Sequence, residues 1–482
     1  MVFNSIEFLL FFVFFFLIYW FLAKTAMQQN LLLLLGSCFF YAWWNLSFLI
    51  LLLSITSLIY FLALGMTAAK TLTGKKALLN LGLFCAIGLL FVFKYYDFFI
   101  ASLQSLLAIG NFHVSLLTLH LILPLGISFY SFRLISYLLD VYYEKMDAST
   151  NWINFTSYVI FFPTVISGPI DRPNPFLEQL KHKRIFTVQN GTDGVKQIFW
   201  GLFKKVLIAD KIAPGVDTVF SNYHQYTGST LFITAFLFAI QLYTDFSGYS
   251  DMAIGIGKLL GIKVAKNFDH PFFAQNIAAF WRRWHISLTS WLTDYIFTPL
   301  SIQLRDWDKK GTIIAIIINF TICGIWHGAN WTYVLFGFLH GCYFIPLILK
   351  GTLHKKTKIA AQKKWPSVRE LINMLQLFIL LTFTWIIFKS NSLADAFGYY
   401  RQMVWGGLFK KPDWGILCSS GIFGLIVLTL VFEWHQQKLD YAFKEIPVKK
   451  PVVRYLIYNI LIAFLLMGLL KQGEHQFIYF KF

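Results

Sequence analysis

Charged side chains are scarce in this chain of 482 residues, where Asp, Glu, Lys and Arg together make up only 13%. Soluble domains average about 25% charged residues, and 57% of the residues here are hydrophobic. This composition excludes an ordinary soluble protein and predicts an integral membrane protein. The net charge of +18 suits basic cytoplasmic loops, and the basic run at 354–369 would face anionic lipid headgroups. We therefore expect a lipid bilayer as partner, and no nucleic acid.

Paired metal-binding or disulfide cysteines are also missing. The five cysteines lie in apolar segments without any C-x-x-C spacing: Cys38, Cys85, Cys323, Cys342 and Cys418. We interpret them as small buried residues, because neither a zinc site nor a disulfide framework has this pattern. The sequence therefore predicts no metal site and no bound cofactor.

Several catalytic signatures are absent from the sequence. It has no G-x-S-x-G nucleophile elbow and no P-loop. The His-x4-Asp pattern of soluble acyltransferases does not follow His285, His327 or His340. A covalent serine mechanism therefore has no local support, whereas a histidine general base acting on a bound hydroxyl needs only a base with a pKa near the working pH.

Long apolar runs dominate what is present. A transmembrane helix needs roughly 20 mostly apolar residues. Candidates lie near 3–23, 31–45, 46–66, 77–101, 115–140, 152–170, 195–216, 229–258, 268–300, 311–330, 331–349, 371–389, 415–434 and 452–470. Several are short or interrupted by proline, so we predict an all-α polytopic protein with about a dozen transmembrane helices plus re-entrant or interfacial helices. No repeat or soluble region is visible, and residues 1–482 are predicted to form a single membrane domain. The N-terminus lacks a basic n-region and is interpreted as a retained first span.

The segment 278–300, AAFWRRWHISLTSWLTDYIFTPL, has an unusual pattern for a membrane helix. At helical spacing it carries one apolar stripe and two polar stripes. The polar stripes are Arg282, His285, Thr289 and Thr293, and Arg283, Ser287, Ser290 and Asp294. Such a helix either lies in the membrane interface or lines an aqueous cleft. Spacing alone favours the interfacial helix.

Two carboxylates, Asp245 and Asp251, lie inside the span-like stretch 241–272. Carboxylates at membrane depth pair with cations or face water. They could form buried salt bridges with Arg282 or Arg283, or they could shape a cavity for a polar substrate. Pairing is the more common outcome.

The stretch CGIWHGANW (323–331) places a histidine in one of the most apolar regions of the chain. A lone histidine on an apolar helix is usually a hydrogen-bonded packing residue, and this motif alone leaves both packing and catalysis open. Cys323 and His327 offer only two metal ligands, which is too few for a metal site. Gly324 and Gly328 allow another helix or a ligand to approach the backbone closely.

Taken together, these motifs resemble the membrane-bound O-acyltransferase (MBOAT) family. The likeness rests on WRRWHISLTSWLTDYIFTPL and CGIWHGANW, and extends to FFPTVISGPIDRP (161–173), YTDFSGYSDMAIGIGKLLG (243–261) and the C-terminal FIYFKF. Within the family, the chain is most similar to the bacterial polysaccharide branch that includes the alginate O-acetylation membrane subunit. The D-alanyl transfer protein of teichoic acid is a more distant relative.

The resemblance implies helices around a central tunnel, with His327 at the catalytic centre and His285 as a second histidine near it. It further implies acyl transfer from cytoplasmic acetyl-CoA to hydroxyls of an extracytoplasmic polysaccharide or peptidoglycan, in a bacterial inner membrane. An esterase-like extracytoplasmic partner protein often completes transfer in this branch. The residues then expected along the tunnel are Trp326, Asn330, Asp245, Arg282, Arg283 and Asp294, with the two arginines as partners for donor phosphates.

Two departures from the family pattern concern the segment after this motif. Thr293 precedes Asp294 where the family often has arginine, and SIQLRDWDKK (301–310) replaces a glycine-rich stretch. The acceptor or the partner protein could therefore differ. Two alternatives remain: transfer of D-alanine or of a longer acyl chain within the family, and a proton-coupled transporter that uses Asp245, Asp251 and the histidines as a relay.

Overall fold

A computed structural model describes residues 1–112, 114–353, 355, 365–417, 420–445, 450–470 and 477–478. Most of the basic run at 354–369, Cys418 and the last four residues of the FIYFKF motif therefore lie outside the described residues. Within those ranges the chain forms helices and no strand, so the predicted all-α class is confirmed.

The chain folds into two units, each of which packs mainly against itself. The first comprises Met1–Thr192 with Ile256–Ala265, and the second comprises Asp193–Gly255 with Lys266–Phe482. The division into two units does not test whether residues 1–482 form a single membrane domain, which stays a prediction.

Several helices of the first unit begin at a polar residue that caps them. Ser5, Thr25, Asn45 and Thr71 each accept a hydrogen bond from a backbone amide of the following first turn, which satisfies a donor that the helix itself leaves open. The helices are α1 (Ile6–Phe21), α2 (Ala26–Ala42), α3 (Leu46–Ala68), α4 (Leu72–Leu90), α5 (Tyr96–Ile109), α6 (Ile127–Tyr142), α7 (Trp152–Val159) and α8 (Pro173–Lys181). A π-helical turn, Phe91–Tyr95, joins α4 to α5.

Two predicted spans of the first unit are shorter than the apolar runs suggested. The run at 115–140 becomes helical only at Ile127, after Gly126 in the left-handed region with φ 73°. The run at 152–170 is helical only to Val159. Beyond it, the chain is held by the fully buried Arg133, which donates to the carbonyls of Tyr158 and Val159 at 3.1 and 3.0 Å and to that of Pro169 at 3.2 Å. Irregular backbone here is possible because a buried guanidinium satisfies its carbonyls.

The second unit contains most of the polar motifs. Its sequence range carries α9 (Val188–Leu202, which begins in the first unit), α10 (Asp210–Ser221), α11 (Gly228–Leu259, which ends in the first unit), α12 (Ile277–Trp281), α13 (Ile286–Leu292), α14 (Thr298–Gln303), α15 (Asp308–His327), α16 (Trp331–Cys342), α17 (Ile345–Leu349), α18 (Val368–Lys389), α19 (Leu393–Trp405), α20 (Trp414–Leu417), α21 (Ser420–His435) and α22 (Pro451–Leu470). π-Helical turns at Phe203–Ala209 and Thr293–Phe297 join α9 to α10 and α13 to α14. Short 3₁₀ turns cover Tyr223–Gln225, Pro271–Phe273 and Arg305–Trp307.

The segment at 278–300 is not one helix, and that expectation is wrong. The first helical piece, α12, ends at Trp281, and His285, left-handed with φ 46°, is the residue from which α13 starts. Since a left-handed residue breaks the helical hydrogen-bond ladder, the three stripes predicted from helical spacing do not continue along one surface.

Six helices in the described ranges are long and apolar enough to cross a membrane by length and composition. They are Leu46–Ala68, Leu72–Ile109, Gly228–Leu259, Arg305–His327, Trp331–Leu349 and Val368–Lys389, with shorter apolar helices at Ile6–Phe21 and Gly421–His435. Several of the fourteen apolar runs are present among the described residues as short or broken helices.

Candidate functional site

The α15–α16 hairpin presents the CGIWHGANW motif at its turn. Gly324 and Gly337 allow the two helices to pack backbone against backbone, since a Cβ on Gly337 would collide with the carbonyl oxygen of Phe320. His327 is the last residue of α15, and Gly328 leaves the helix in extended conformation. The motif histidine therefore lies at a helix end rather than in the middle of a span.

The imidazole of His327 is enclosed by aromatic rings. The side chain is 4% exposed, and its ring centroid lies 5.0 Å from that of Trp326 and 5.3 Å from that of Phe388, both edge to face. The thiol of Cys323 lies 4.0 Å from Nε2. In the part of the chain that the structure describes, no three His, Cys, Asp or Glu side chains cluster as metal ligands.

His285 reaches the same aromatic group from another element. Its ring lies 5.7 Å from that of Trp326 and 4.7 Å from that of Phe246, and the residue is fully buried. It lies outside the six candidate spans, and burial lowers the pKa of its imidazole to about 3, because a low-dielectric environment disfavours the charged form. Trp326 thus contacts a neutral His285 and His327 at once, although the two histidines are 42 positions apart in sequence.

A cavity of about 540 Å³ adjoins His327 within the second unit. Phe388 forms part of its wall and also contacts the His327 ring, so one phenyl group touches both. Asn330, Tyr333 and Asp245 line the same cavity. Its volume lies within the range of small-molecule sites, about 300–1,000 Å³.

Asn330 uses its side-chain amide for the local fold. Its Oδ1 accepts from the backbone amide of Thr332 at 3.0 Å, which caps α16, and its Nδ2 donates to the carbonyl of Asn391 at 2.7 Å. The residue therefore holds the turn next to His327 and links it to the chain just after α18.

Asp245 and Asp251 on α11 pair with lysines, so the expected pairing with Arg282 or Arg283 is wrong. Asp245 accepts from Lys205 at 2.7 Å and from the backbone amide of Ile478 at 2.7 Å. Asp251 accepts from Lys204 at 2.6 Å. Both lysines belong to the π-helical turn between α9 and α10, which directs consecutive side chains towards α11.

Lys205, which lines the cavity, and its neighbour Lys204 were not found from the sequence. The stretch IFWGLFKKVLIAD (198–210) sets two lysines in a predicted span, and ionisable residues at membrane depth indicate function by default. The signal for Lys204 and Lys205 is therefore the presence of two consecutive lysines inside the predicted span 195–216.

The remaining candidates lie apart from the described cavity wall. Arg283 interacts with Asp269, whose carboxylate lies 3.4 Å away. Arg282 and Asp294 are exposed, and the Arg282 guanidinium donates a long hydrogen bond of 3.5 Å to the carbonyl of Leu353. The structure thus brings His285, Trp326 and His327 together. It places Asn330 and Asp245 on the cavity wall, whereas Arg282, Arg283 and Asp294 are not among the described residues that line it.

A third buried histidine was not singled out from the sequence. His340 on α16 accepts a hydrogen bond at Nδ1 from the indole N–H of Trp281 at 3.2 Å, and its ring packs 4.4 Å from that of Phe336. This contact ties α12 to the α15–α16 hairpin.

This arrangement of a buried histidine at a helix end beside a polar cavity agrees with the comparison of the sequence to known families. A profile of the membrane-bound O-acyltransferase family matches residues 8–390. The chain belongs to this family. As an MBOAT protein it is a multi-pass membrane O-acyltransferase, and the resemblance inferred from its motifs is confirmed.

Three relatives of this MBOAT protein illustrate the acceptors named within the family. The chain is 35% identical over 400 residues to the probable alginate O-acetylase AlgI of Azotobacter vinelandii, covering 82% of this chain and 75% of the relative. It is 33% identical over 391 residues to the peptidoglycan O-acetyltransferase of Helicobacter pylori, covering 75% and 71%. It is 28% identical over 284 residues to the teichoic acid D-alanyltransferase of Bacillus subtilis, covering 56% and 68%.

Proposed function

We propose that this MBOAT protein transfers an acetyl group from cytoplasmic acetyl-CoA to hydroxyls of an extracytoplasmic cell-envelope polysaccharide or peptidoglycan. The names of the alginate and peptidoglycan relatives support acetyl as the acyl group and a cell-envelope glycan as the acceptor. By the same analogy the protein resides in a bacterial inner membrane and works with an extracytoplasmic esterase-like partner.

His327 is the general base in this proposal. The observation that carries it is the contact of Phe388 with both His327 and the 540 Å³ cavity, because a hydroxyl held in the cavity would reach the imidazole once this ring moves aside. The helix end also suits the role, since the carbonyls of the last turn stabilise positive charge on a protonated histidine.

The reaction needs no covalent enzyme intermediate. His327 takes the proton of the acceptor hydroxyl as its oxygen attacks the thioester carbonyl carbon. The tetrahedral intermediate then collapses, the carbon–sulfur bond breaks, and the imidazolium returns the proton to the leaving thiolate of CoA. General base catalysis of this kind typically contributes about 10²- to 10⁴-fold.

The other residues have supporting roles. His285 assists by contact with the Trp326 indole, which in turn packs on His327. The exposed Arg282 and the half-buried Arg283 would meet the phosphates of the donor, for which the planar guanidinium is well suited. Asn330, Trp326, Asp245 and Asp294 complete the set of proposed tunnel residues.

The donor is tested with the purified protein in nanodiscs, supplied with acetyl-, butyryl- or palmitoyl-CoA and a glycan acceptor. We expect release of free CoA thiol and acylated glycan with acetyl-CoA and much slower release with palmitoyl-CoA. Preference for palmitoyl-CoA would contradict acetyl transfer.

D-Alanyl transfer is the second candidate, and the Bacillus subtilis relative favours it. Turnover with a D-alanyl thioester on a carrier protein, but with none of the three CoA esters, would replace the acetyl proposal by this one. A proton-coupled transporter would instead move solute into proteoliposomes without any acyl turnover.

A further inference from the structure

The wall of the 540 Å³ cavity carries an excess of negative charge. Of the described residues that line it, six are charged: Asp210, Asp217, Asp245, Asp395, Lys205 and Lys389. Four carboxylates against two lysines leave a net charge of two negative units. Phosphates and carboxylates on a ligand would therefore be repelled, and in a water-poor cavity such repulsion is stronger than in bulk water.

Both lysines are already neutralised by partners in the wall. Lys205 is shared between Asp210 at 2.8 Å and Asp245 at 2.7 Å. Lys389 lies 2.6 Å from Asp217. Neither ammonium group can therefore meet an anionic ligand without giving up an ion pair.

Two nearly fully buried wall residues retain hydrogen-bond acceptors. Oδ2 of Asp210 and Oε1 of Gln241 have no hydrogen-bond partner among the described residues, and the two side chains belong to residues that are 3% and 4% exposed. Buried acceptors without partners are costly, and a ligand rich in hydroxyl or amine donors removes that cost. The wall therefore favours a ligand that donates hydrogen bonds.

We infer that this cavity binds an acceptor glycan that is neutral or positively charged, and that it discriminates against polyanionic uronate chains and against the nucleotide part of the acyl donor. The inference rests on the proposed function for the identity of the cavity as the acceptor site. The four carboxylates and Gln241 recognise sugar hydroxyls or amines. The phosphates of CoA must then be held outside this cavity.

The test compares three tetrasaccharides of equal length and different charge. These are the N-acetylglucosamine tetramer, the glucosamine tetramer and the mannuronate tetramer, which are neutral, cationic and anionic. Dissociation constants are measured with the full-length protein in nanodiscs at 50 and 500 mM salt. We expect the neutral and cationic tetramers to bind at least about tenfold more tightly than the uronate at low salt. The difference in dissociation constant between the uronate and the other two tetramers should become smaller at high salt, because salt screens the repulsion.

Variants locate the effect in the cavity wall. Asp395→Asn removes one negative charge at a half-buried position whose Oδ2 accepts from Ser392 at 2.8 Å, and should improve uronate binding severalfold. Gln241→Leu should weaken the neutral tetramer severalfold. Glu144→Gln changes an exposed carboxylate that is absent from the described wall and serves as the matched control with unchanged binding.

The outcomes separate this inference from the proposed function, which is measured in parallel as acetyl-CoA turnover. Equal or tighter binding of the uronate at low salt, or failure of every tetramer to bind, would overturn the inference even if acetyl-CoA is turned over. Charge-selective binding that responds to Asp395→Asn would uphold it even if acetyl-CoA is not the donor.

Discussion

Replacing Phe388 by alanine should open a direct path for water from the cavity to His327. The Phe388 side chain is 2% exposed, and its ring lies 5.3 Å from His327 and 5.0 Å from both Tyr333 and Phe336. Truncation of a buried phenylalanine typically costs about 3–5 kcal/mol, and three edge-to-face ring contacts are lost with it. The void left behind joins a cavity that already holds about 540 Å³, so water can reach the reacting thioester.

The assay for this leak is release of CoA thiol from acetyl-CoA in the absence of any acceptor. We expect acceptor-free hydrolysis to rise severalfold in Phe388→Ala while acetyl transfer to glycan falls. Phe388→Leu keeps most of the apolar volume, so its rate of acceptor-free hydrolysis should lie between those of Phe388→Ala and the wild type.

The matched control is Phe378→Ala on the same helix, α18. The Phe378 ring packs against Phe236 and Phe272, and the residue is not among the described cavity-lining residues. We expect the Phe378→Ala protein to be less stable than the wild type but to show the same rate of acceptor-free acetyl-CoA hydrolysis. A folded Phe388→Ala protein with wild-type acceptor-free hydrolysis would refute the idea that this ring separates the cavity from His327.

Two further predictions concern stability and use thermal unfolding in detergent. Gly337→Leu should lower the free energy of unfolding by more than the usual overpacking cost of about 1–3 kcal/mol, because its Cβ would meet the carbonyl of Phe320. Gly88→Leu is the control and should cost little, because no atom lies within 4 Å of the place that its Cβ would take. Equal losses of stability in the two variants would contradict the close packing of the hairpin. Arg133 lies 3.7 Å from the buried carboxylate of Asp171, so Arg133→Met should cost about 3–5 kcal/mol, as expected when one partner of a buried ion pair is removed. Lys75→Met removes only an exposed pair and should cost about 0–1 kcal/mol. Similar midpoints for these two variants would show that Arg133 does not hold the irregular segment.

Sequence patterns were sufficient for the α15–α16 hairpin. The apolar runs at 311–330 and 331–349 predict two successive helices, and the structure ends α15 at His327 and starts α16 at Trp331. Asn330 is the N-cap of α16, a position where asparagine is common. The apolar surroundings also identified His327 as an unusual residue, because a polar side chain is costly to bury without a hydrogen-bond partner.

The break at His285 was not predictable from local pattern. Its left-handed backbone is uncommon for a residue other than glycine, and the surrounding sequence satisfies helical periodicity. Ile286 donates its amide to the carbonyl of Asn267 and Ser287 donates its hydroxyl to the Asn267 side chain at 2.6 Å. These tertiary contacts replace helical hydrogen bonds, and periodicity carries no information about them.

The cavity was likewise beyond the sequence alone. Its wall combines Lys205, Gln241, Asn330 and Phe388, which come from four separated segments. Charge patterns could flag the individual residues, but not the ion pairs that neutralise the lysines and leave the wall acidic. The choice between arginine and lysine as the partner of Asp245 depended on the π-helical turn that presents Lys205.

The central claim is that His327 is the base for acyl transfer, and acetyl-CoA turnover by His327→Ala in nanodiscs tests it most directly. His182→Ala, which changes a histidine whose side chain is 79% exposed, is the matched control and should retain wild-type turnover. The account predicts that His327→Ala is extracted and folded normally but loses about 10²- to 10⁴-fold in transfer rate, the range typical of general base catalysis. Wild-type turnover in a folded His327→Ala protein would contradict the account.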